Sequence, residues 1–239
     1  MTSKGPSLQP LINFIRNNSE LSRRAIMNHI INGDVYVNKI IIRDSSHLVS
    51  ADDFITLKKT RIQQQRFEYY KFYKPINVVS TFRDPKNRRD LSFFLKKNRL
   101  PSTLKPIGRL DRQSTGLLLF SNDGKFIDTI LHPKHSITKE YEITLNKPLE
   151  DQAKHQLEHG VFLNDGPTQL TFKEMFSPTH FIVSIHIGRN RILRRSFEFF
   201  GYTVTGLHRI QIGPISLGHL RSGEFQRLSN DVVKTLELN

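Results

Sequence analysis

The chain has no cysteine, comparatively few acidic residues and no long hydrophobic run. The absence of cysteine excludes a disulfide framework, a thiolate nucleophile and a zinc site with thiolate ligands. No apolar run approaches the ~18 residues of a membrane-spanning helix, and residues 1–10 lack the apolar segment of a signal peptide. We therefore expect a soluble, cytoplasmic protein that makes no contact with a membrane.

Positive charge dominates what is present, with 36 Lys and Arg against 22 Asp and Glu and a net charge of +14. Residues 61–110 hold 13 basic and 3 acidic residues, whereas residues 111–188 hold 7 and 10. Such a cluster attracts a polyanion, and each phosphate contact releases counterions, so nucleic acid is the expected partner. A membrane surface fits less well, because Pro85 interrupts the basic stretch from Arg83 to Arg99 and no long amphipathic pattern runs through it.

A hydrophobic content of 37% over 239 residues is enough for a core, in one large domain or in a small domain followed by a larger one. Two short helices open the first sixty residues. Apolar residues at helical spacing follow Ser7, at Leu8, Leu11, Ile12 and Ile15. Ser22 is placed to cap a second helix over 23–32, which Gly33 would end in the left-handed conformation.

Short strands follow these helices. Residues 35–37 and 40–42 predict a hairpin whose turn, Asn38-Lys39, tolerates a positive φ, and residues 54–57 would close a small sheet. Residues 58–66 are polar with little apolar periodicity and indicate a linker. We therefore divide the chain into a first domain at 1–60 and a second at 61–239.

The second domain mixes strand and helix periods. Its predicted strands lie at 67–73, 117–120, 139–145 and 181–187, with a hairpin of 161–163 and 169–172 and helices at 126–131 and 192–200. Within it, residues 108–124 place one acid, Asp111, before an apolar run, and Gly116 indicates a close approach of two backbones. On residue type alone, Asp111 is a structural acid that caps a turn or pairs with Arg109.

The extended pattern around Asp111 favours a chemical role. Gly-Arg-Leu-Asp at 108–111, followed by Ser114, Gly116, the leucine run and Asn122-Asp123-Gly124, resembles the signature of the RsuA/RluB/RluF branch of the pseudouridine synthases. The resemblance implies that Asp111 is the catalytic carboxylate. It also implies an α+β protein in which a small N-terminal α/β RNA-binding module precedes a larger mixed, mainly antiparallel β-sheet catalytic domain.

Two further residues complete the implied catalytic set. Tyr141, within Lys139-Glu140-Tyr141, matches the tyrosine that packs against the target base and has been assigned a proton-transfer role; the simpler alternative is a half-buried strand tyrosine. Arg194 matches the basic residue that pairs with the catalytic aspartate, and a planar guanidinium could reach that carboxylate bidentately. The simpler alternative for Arg194 is a surface arginine on an amphipathic helix.

The order of helices and hairpin in the first domain resembles the RNA-binding domain of the ribosomal protein S-four type. That resemblance predicts phosphate contacts from Arg23 and Arg24 at the start of the second helix, although a solvated helix terminus explains each as well. Lys39 departs from the glycine usual after the asparagine and adds a cation to the RNA face. Further basic residues expected to contact RNA in the second domain are Arg83, Lys86, Arg88, Arg89, Lys96, Lys97, Arg109, Arg112, Arg189 and Arg191. For each of the first six taken singly, a solvated surface charge is the simpler alternative.

The reaction that the resemblance implies makes definite demands on these residues. Converting uridine to pseudouridine breaks the glycosidic bond, turns the detached uracil and rejoins it through a ring carbon, with no metal or redox cofactor. An ionised Asp111 beside Arg194 could attack the anomeric carbon or remove a neighbouring proton, and both routes stay open. A stacked base must also be flipped into a pocket, where Tyr141 would supply a stacking face.

Three functions are therefore compared. The favoured one is an RNA pseudouridine synthase that modifies one uridine, in ribosomal RNA first and transfer RNA second, and that acts as a monomer without cofactor or metal. The second is a binding protein that keeps the fold without catalysis, which the joint presence of Asp111, Tyr141 and Arg194 disfavours. The third is a metal-dependent nuclease, which would need a second acid near Asp111.

Overall fold

The structure is a computed structural model that describes residues 8–19, 21–63 and 66–237, and it divides into two compact units. The N-terminal unit is formed by the chain up to Glu68 together with residues 101–104 and 122–124. The C-terminal unit holds the rest of the chain from Tyr69 onward. Each is described separately below.

The N-terminal unit packs two helices with a small antiparallel sheet of order β3-β2-β5-β6. A second pair of short strands, β1 and β4, is antiparallel. The elements are β1 (Gln9–Pro10), α1 (Leu11–Asn17), α2 (Arg23–Ile31), β2 (Val35–Val37), β3 (Ile40–Ile41), β4 (Leu48–Val49), β5 (Ile55–Leu57) and β6 (Thr60–Ile62). Its core comes from the apolar faces of both helices and the inward positions of β2 and β5.

The second helix and the hairpin are confirmed in detail. The Ser22 hydroxyl accepts a hydrogen bond from the Ala25 backbone at 3.2 Å, and Gly33 has φ of +77° after the helix. Asn38 and Lys39 both have positive φ, at 52° and 71°, which is the geometry of a tight type I′ hairpin turn. The sequence thus specifies this region through its caps and turns.

Two predictions for this unit are wrong. The first helix begins at Leu11, and Leu8 is 61% exposed outside it; Ser7 lies outside the described residues. The segment taken as a linker contains β6, which pairs with β5 through a turn in which Lys58 and Lys59 have φ of 45° and 69°. Three residues are too few to show a strand period, and lysine gives no sign of a left-handed turn. Gln64 and Gln65, also assigned to the linker, lie outside the described residues.

The C-terminal unit is built on a mainly antiparallel sheet, which confirms the α+β prediction. Its strands run in the order β13-β14-β10-β15-β9-β7-β17, with β16 beside β15 and β8 beside β9. Strands β15 and β9 form a parallel pair, through His208 with Thr115 and Arg209 with Gly116. Its first elements are β7 (Tyr69–Lys74), α3 (Leu91–Lys97), β8 (Lys105–Ile107), β9 (Thr115–Ser121), α4 (Gly124–Leu131) and β10 (Lys139–Leu145).

The remaining elements of the C-terminal unit follow β10 in the chain. They are α5 (Asp151–His159), β11 (Val161–Leu163), β12 (Gly166–Thr168), β13 (Thr171–Ser177), β14 (His180–Ile185), α6 (Ile192–Glu198), β15 (Val204–Ile212), β16 (Ile215–Ser216), β17 (Phe225–Arg227) and α7 (Asn230–Glu237). The predicted hairpin has a different second strand, because β11 pairs with β12 rather than with residues 169–172. Its turn is Asn164-Asp165, and Gly166 with φ of +115° already belongs to β12.

Candidate active site

A cavity of about 340 Å³ opens in the C-terminal unit, within the size range of small-molecule and nucleoside pockets. The chain segments that line it are the approach to β9, the end of α4, strands β10 and β15, and the loop before α6. Its lining residues are Ile107, Gly108, Arg109, Leu110, Asp111, Ser114, Ile130, Leu131, Lys139, Tyr141, Ile187, Gly188, Arg189, Asn190, Arg191, Ile192, Leu193, Leu207, Arg209 and Ile212. The predicted Asp111 and Tyr141 therefore share one cavity.

Asp111 stands on a fixed backbone with its carboxylate accessible. Its carbonyl accepts a hydrogen bond from the Ser114 backbone at 2.9 Å. The preceding residue, Leu110, exchanges two hydrogen bonds with the Ser80 hydroxyl, at 2.7 and 3.1 Å. The side chain of Asp111 is 33% exposed, so the turn is held rigidly while the carboxylate oxygens reach the cavity.

Arg194 approaches Asp111 from α6, but without the bidentate contact that the sequence suggests. Its Nη1 donates to the Val204 carbonyl at 2.7 Å, and its Nη2 donates to the Gln113 carbonyl at 3.2 Å. Its Nε lies 4.0 Å from Asp111 Oδ2 and is buried without a hydrogen-bond partner in the described part of the chain. A shift of about 1 Å would turn this ion pair into a hydrogen bond.

Lys74 is a second cation near Asp111 that the sequence analysis left without a role. It is fully buried at the end of β7, and its Nζ donates to the Ser114 and Pro75 carbonyls at 2.8 and 3.0 Å. Burial lowers the pKa of Lys74 to about 8, while the charge of Asp111 acts in the opposite direction. Lys74 thus fastens the same turn that carries Asp111.

Tyr141 lies on β10 with its hydroxyl beside Arg209 of β15. Arg209 is 3% exposed; its Nε donates to the Leu117 carbonyl at 2.7 Å, and its Nη1 donates to Tyr141 Oη at 3.3 Å. Sequence analysis missed Arg209, although it occupies an inward position of an alternating strand, two residues after Leu207. A charged residue in that position is unusual unless it has partners.

Gly116 allows these strands to approach each other and confirms the predicted close approach of two backbones at this position. It has φ of +101°, and a Cβ there would lie 2.3 Å from the Arg209 carbonyl oxygen. Lys139, a half-buried cation, lines the same cavity and donates to the Ile137 carbonyl at 3.0 Å. Burial, with a contribution from Arg209, lowers the pKa of Lys139 to about 8.

Not all of the predicted RNA-binding arginines are free. Arg189 donates to the carbonyls of Asp165 and Pro167 and to the Thr168 hydroxyl, and so clasps the β11–β12 hairpin. Arg195 makes a bidentate pair with the same Asp165 at 2.7 and 2.9 Å, and also donates to the Asn190 carbonyl. The guanidinium of Arg189 therefore fixes the cavity wall at 188–191 and is not directed at solvent.

Some of the other basic residues predicted to bind RNA also contact groups within the protein, and others are exposed. Arg88 forms a fork with Asp84 at 2.6 and 2.9 Å and lowers the pKa of that carboxyl to about 2. Arg191 pairs with Glu198 at 3.3 Å, and Arg89 lies 4.9 Å over the ring of Phe93. Among the residues with exposed side chains in the C-terminal unit are Arg83, Lys86, Lys96, Lys97, Arg109 and Arg112. In the N-terminal unit, Arg23, Arg24 and Lys39 are exposed.

In residues 8–19, 21–63 and 66–237, no group of three or more histidine or acidic side chains is arranged to hold a metal ion. Over the same ranges, no helix is both long and apolar enough to cross a membrane.

Comparison with known proteins gives a consistent result. Residues 68–199 match the family model described as RNA pseudouridylate synthase. The "Ribosomal large subunit pseudouridine synthase B" of Bacillus subtilis is 33% identical, over 90% of this chain and 90% of its own length. The "Dual-specificity RNA pseudouridine synthase RluF" of Salmonella typhi is 30% identical, over 91% of this chain and 75% of its own.

A third relative and a solved structure agree with these. The "Ribosomal small subunit pseudouridine synthase A" of Vibrio cholerae is 29% identical over 85% of this chain and 89% of its own length. A crystal structure of a pseudouridylate synthase superimposes with a TM-score of 0.68 at 26% identity, covering 95% of this chain and 99% of that one. By the family match and these similarities, the chain belongs to the RsuA family of RNA pseudouridine synthases.

Proposed function

We propose that the protein isomerises one uridine of ribosomal RNA to pseudouridine, with Asp111 as the catalytic carboxylate. The observation that carries this assignment is the accessible Asp111 carboxylate in the cavity, 4.0 Å from a buried guanidinium. A carboxylate in this position can attack the anomeric carbon or remove a neighbouring proton, and the guanidinium of Arg194 lies close enough to attract its charge.

The other cavity residues have complementary parts in this proposal. Tyr141 offers a rigid aromatic face to a flipped base, while its hydroxyl is fixed by Arg209. Arg194 is buried and places its positive charge 4.0 Å from the Asp111 carboxylate before the reaction. Lys74 keeps the turn at Asp111 in place through the Ser114 carbonyl.

The ribosomal substrate rests on the names of the relatives, two of which are ribosomal subunit pseudouridine synthases. We assign the N-terminal unit the role of an S-four type RNA-binding domain, supported by the helix, capped helix and hairpin order and by exposed Arg23, Arg24 and Lys39. Together with Arg109, which lines the cavity, and the exposed Arg112, these side chains would hold RNA phosphates. A ribosomal substrate would also place the enzyme in the cytoplasm, and we propose that it acts as a monomer.

The decisive experiment compares Asp111→Asn with Asp128→Asn. Both remove one accessible carboxylate, but Asp128 lies on the outer side of α4. Product formation is followed by tritium release from RNA labelled at uridine C5, and RNA affinity by filter binding. We expect Asp111→Asn to lose turnover by at least 10⁴-fold, an expectation in line with removal of a residue central to catalysis, while both variants keep wild-type affinity. Wild-type turnover by Asp111→Asn would contradict the proposal. Cleavage of the RNA by the wild-type protein that a metal chelator abolishes would contradict it as well.

The substrate is tested separately in cells. Pseudouridines in ribosomal RNA and transfer RNA are mapped with and without the gene. One ribosomal site should disappear and should return with the wild-type gene but not with Asp111→Asn. If every ribosomal site remains and a transfer RNA site disappears, the ribosomal part of the proposal is wrong and the chemical part stands.

A further inference from the structure

Arg209 is a buried cation in the cavity wall whose contacts converge on the hydroxyl of Tyr141. Resting on the function proposed above, we propose that Arg209 is a positioning residue that fixes the direction of the Tyr141 hydroxyl during uridine isomerisation. Its guanidinium donates from Nη1 to Tyr141 Oη at 3.3 Å, and its centre lies 5.8 Å from the centroid of the Tyr141 ring.

The contact has a directional consequence. A guanidinium has only donors, so the phenolic oxygen must act as the acceptor in this hydrogen bond. The hydrogen of the Tyr141 hydroxyl is then unable to point at Arg209 and has to be directed elsewhere. Since Tyr141 lines the cavity, the natural partner for that hydrogen is a group on the bound nucleoside.

Arg209 is held firmly enough to impose this direction. Its Nε donates to the Leu117 carbonyl at 2.7 Å, which ties the side chain to β9. Its backbone is pressed against Gly116, where no Cβ can be accommodated. The motif that contains Asp111 therefore continues into β9, the strand to which Arg209 is hydrogen-bonded. Because Arg209 also contacts Tyr141, the positions of the carboxylate and of the tyrosine hydroxyl both depend on β9.

The cost of this arrangement argues against a purely structural role. Arg209 is 3% exposed, yet its Nη2 is buried and has no hydrogen-bond partner in the described residues. Burying a guanidinium with an unpaired N–H opposes folding, and an apolar side chain of similar volume would pack in this core without that cost. Burial is the main cause of the lowered pKa of Lys74 and of Lys139, and the positive charge of Arg209 lowers both further. Arg209 therefore adds to the positive potential of the cavity.

A positive potential in the cavity would stabilise negative charge that forms during the reaction. When the glycosidic bond breaks, the detached uracil carries the electron pair and therefore negative charge on its ring nitrogen and carbonyl oxygens. A fixed cation behind the tyrosine hydroxyl stabilises that charge through the hydroxyl, without exposing the guanidinium to water. Arg209 acts through Tyr141 and touches no reacting atom in this scheme.

The test is a double-mutant cycle under single-turnover conditions with saturating RNA, using Arg209→Met, Tyr141→Phe and the double variant. We expect Arg209→Met to slow the chemical step at least tenfold with unchanged RNA affinity. If Arg209 acts through the Tyr141 hydroxyl, the double variant should be less than twofold slower than Tyr141→Phe. Equal losses in both backgrounds would show an independent structural effect and overturn the inference.

Two additions keep the test decisive. Gln211→Met, on the same strand but bonded to the Gly213 carbonyl, controls for general disturbance of β15 and should keep the wild-type rate. If Arg209→Met does not fold, or if Tyr141→Phe is too slow to measure, Arg209→Lys is used instead. Lysine lacks the planar fork with which Arg209 contacts Leu117 from Nε and Tyr141 from Nη1. The rate of Arg209→Lys should therefore fall and the ¹³Cζ resonance of Tyr141 should shift, and Gln211→Met should cause neither change.

The inference and the proposed function fail in different ways. If Tyr141→Phe keeps the wild-type rate, the assigned role of Tyr141 is wrong. If Tyr141→Phe is slow but the Arg209 variants keep the wild-type rate, only the positioning role of Arg209 is wrong.

Discussion

At the scale of single residues, the cavity is unusual in placing one accessible carboxylate among several buried cations. Lys74, Arg194 and Arg209 are each at least nine-tenths buried. Burial opposes the charges of Lys74 and Arg194, and the carboxylate of Asp111 favours both of them. The site therefore stores unfavourable electrostatic energy, which a negatively charged reaction species would relieve.

Lys74 makes this cost measurable as a function of pH. Because its pKa in the folded protein is about 8, against an ordinary value of 10.5, the folded state releases a proton that the unfolded state still binds between these values. Stability should therefore rise with pH across this window, and the burial cost is fully present below pH 8.

We predict that, between pH 7 and pH 9.5, the unfolding free energy of wild type rises by about 2 kcal/mol relative to that of Lys74→Met. Urea unfolding at the two pH values measures it. Lys97→Met, which removes an exposed lysine, serves as the control and should show no such change. A difference between wild type and Lys74→Met that stays constant with pH would mean that Lys74 keeps its proton in both states.

Residue roles were predictable only where a motif extends over many positions. Asp111 and Tyr141 were identified because the surrounding residue types match a family signature, and the structure brings both to one cavity. Lys74 and Arg209 were missed because their shortest hydrogen bonds go to backbone carbonyls, which leave no trace in the sequence. The clasp of Arg189 on the β11–β12 hairpin was missed for the same reason.

At the scale of elements, the parallel pairing of β9 with β15 brings Asp111 and Arg209 into one site. The strands come close at Gly116, whose φ of +101° and missing Cβ are both required. Leucines then continue β9 into the core, so the turn with Asp111 is attached to the best-packed strand of the unit. The packing of β9 against β15 and the positions of Asp111 and Arg209 therefore all depend on Gly116.

We predict that Gly116→Ala destabilises the protein by more than about 3 kcal/mol, because a strained φ of roughly 1–3 kcal/mol is combined with a backbone clash. Gly201→Ala is the matched control, since Gly201 also has a positive φ, of 75°, but has no atom within 4 Å of the Cβ position. It should cost only the strain, about 1–2 kcal/mol. Thermal unfolding compares the two, and equal losses would contradict a special role for the contact with Arg209.

Elements were predictable from sequence in proportion to their length and their end signals. Strand β9, strand β10 and helix α6 have apolar periods long enough to identify, and α2 has a serine cap and a glycine stop. Helix α3 was missed because its buried Leu91, Phe94 and Leu95 lie inside a basic stretch, and strand β6 because it has three residues. Register was not predictable, since the partner of β11 depends on where one turn closes.

At the scale of the whole molecule, positive charge is distributed over both units while the segment 111–188 is net negative. Long-range attraction to RNA is set by the net charge, but salt-dependent affinity reports only on cations that actually meet phosphates. Replacing lysines or arginines in different segments therefore separates the two contributions. Exposed Arg23 and Arg24, at the positive end of α2, are the phosphate contacts that the proposed function assigns to the N-terminal unit.

We predict that Arg23→Gln combined with Arg24→Gln weakens RNA binding and reduces the slope of log Kd against log salt by about 1.4, or 0.7 for each lost contact with single-stranded RNA. The rate at saturating RNA should not change, because neither residue belongs to the C-terminal unit that holds the cavity. The control is Lys147→Gln combined with Lys173→Gln, which removes the same charge from exposed sites in the negative segment and should leave the slope unaltered. An equal loss of slope in both double variants would mean that affinity follows net charge alone, and a fall in the saturated rate would mean that the N-terminal unit takes part in the chemical step.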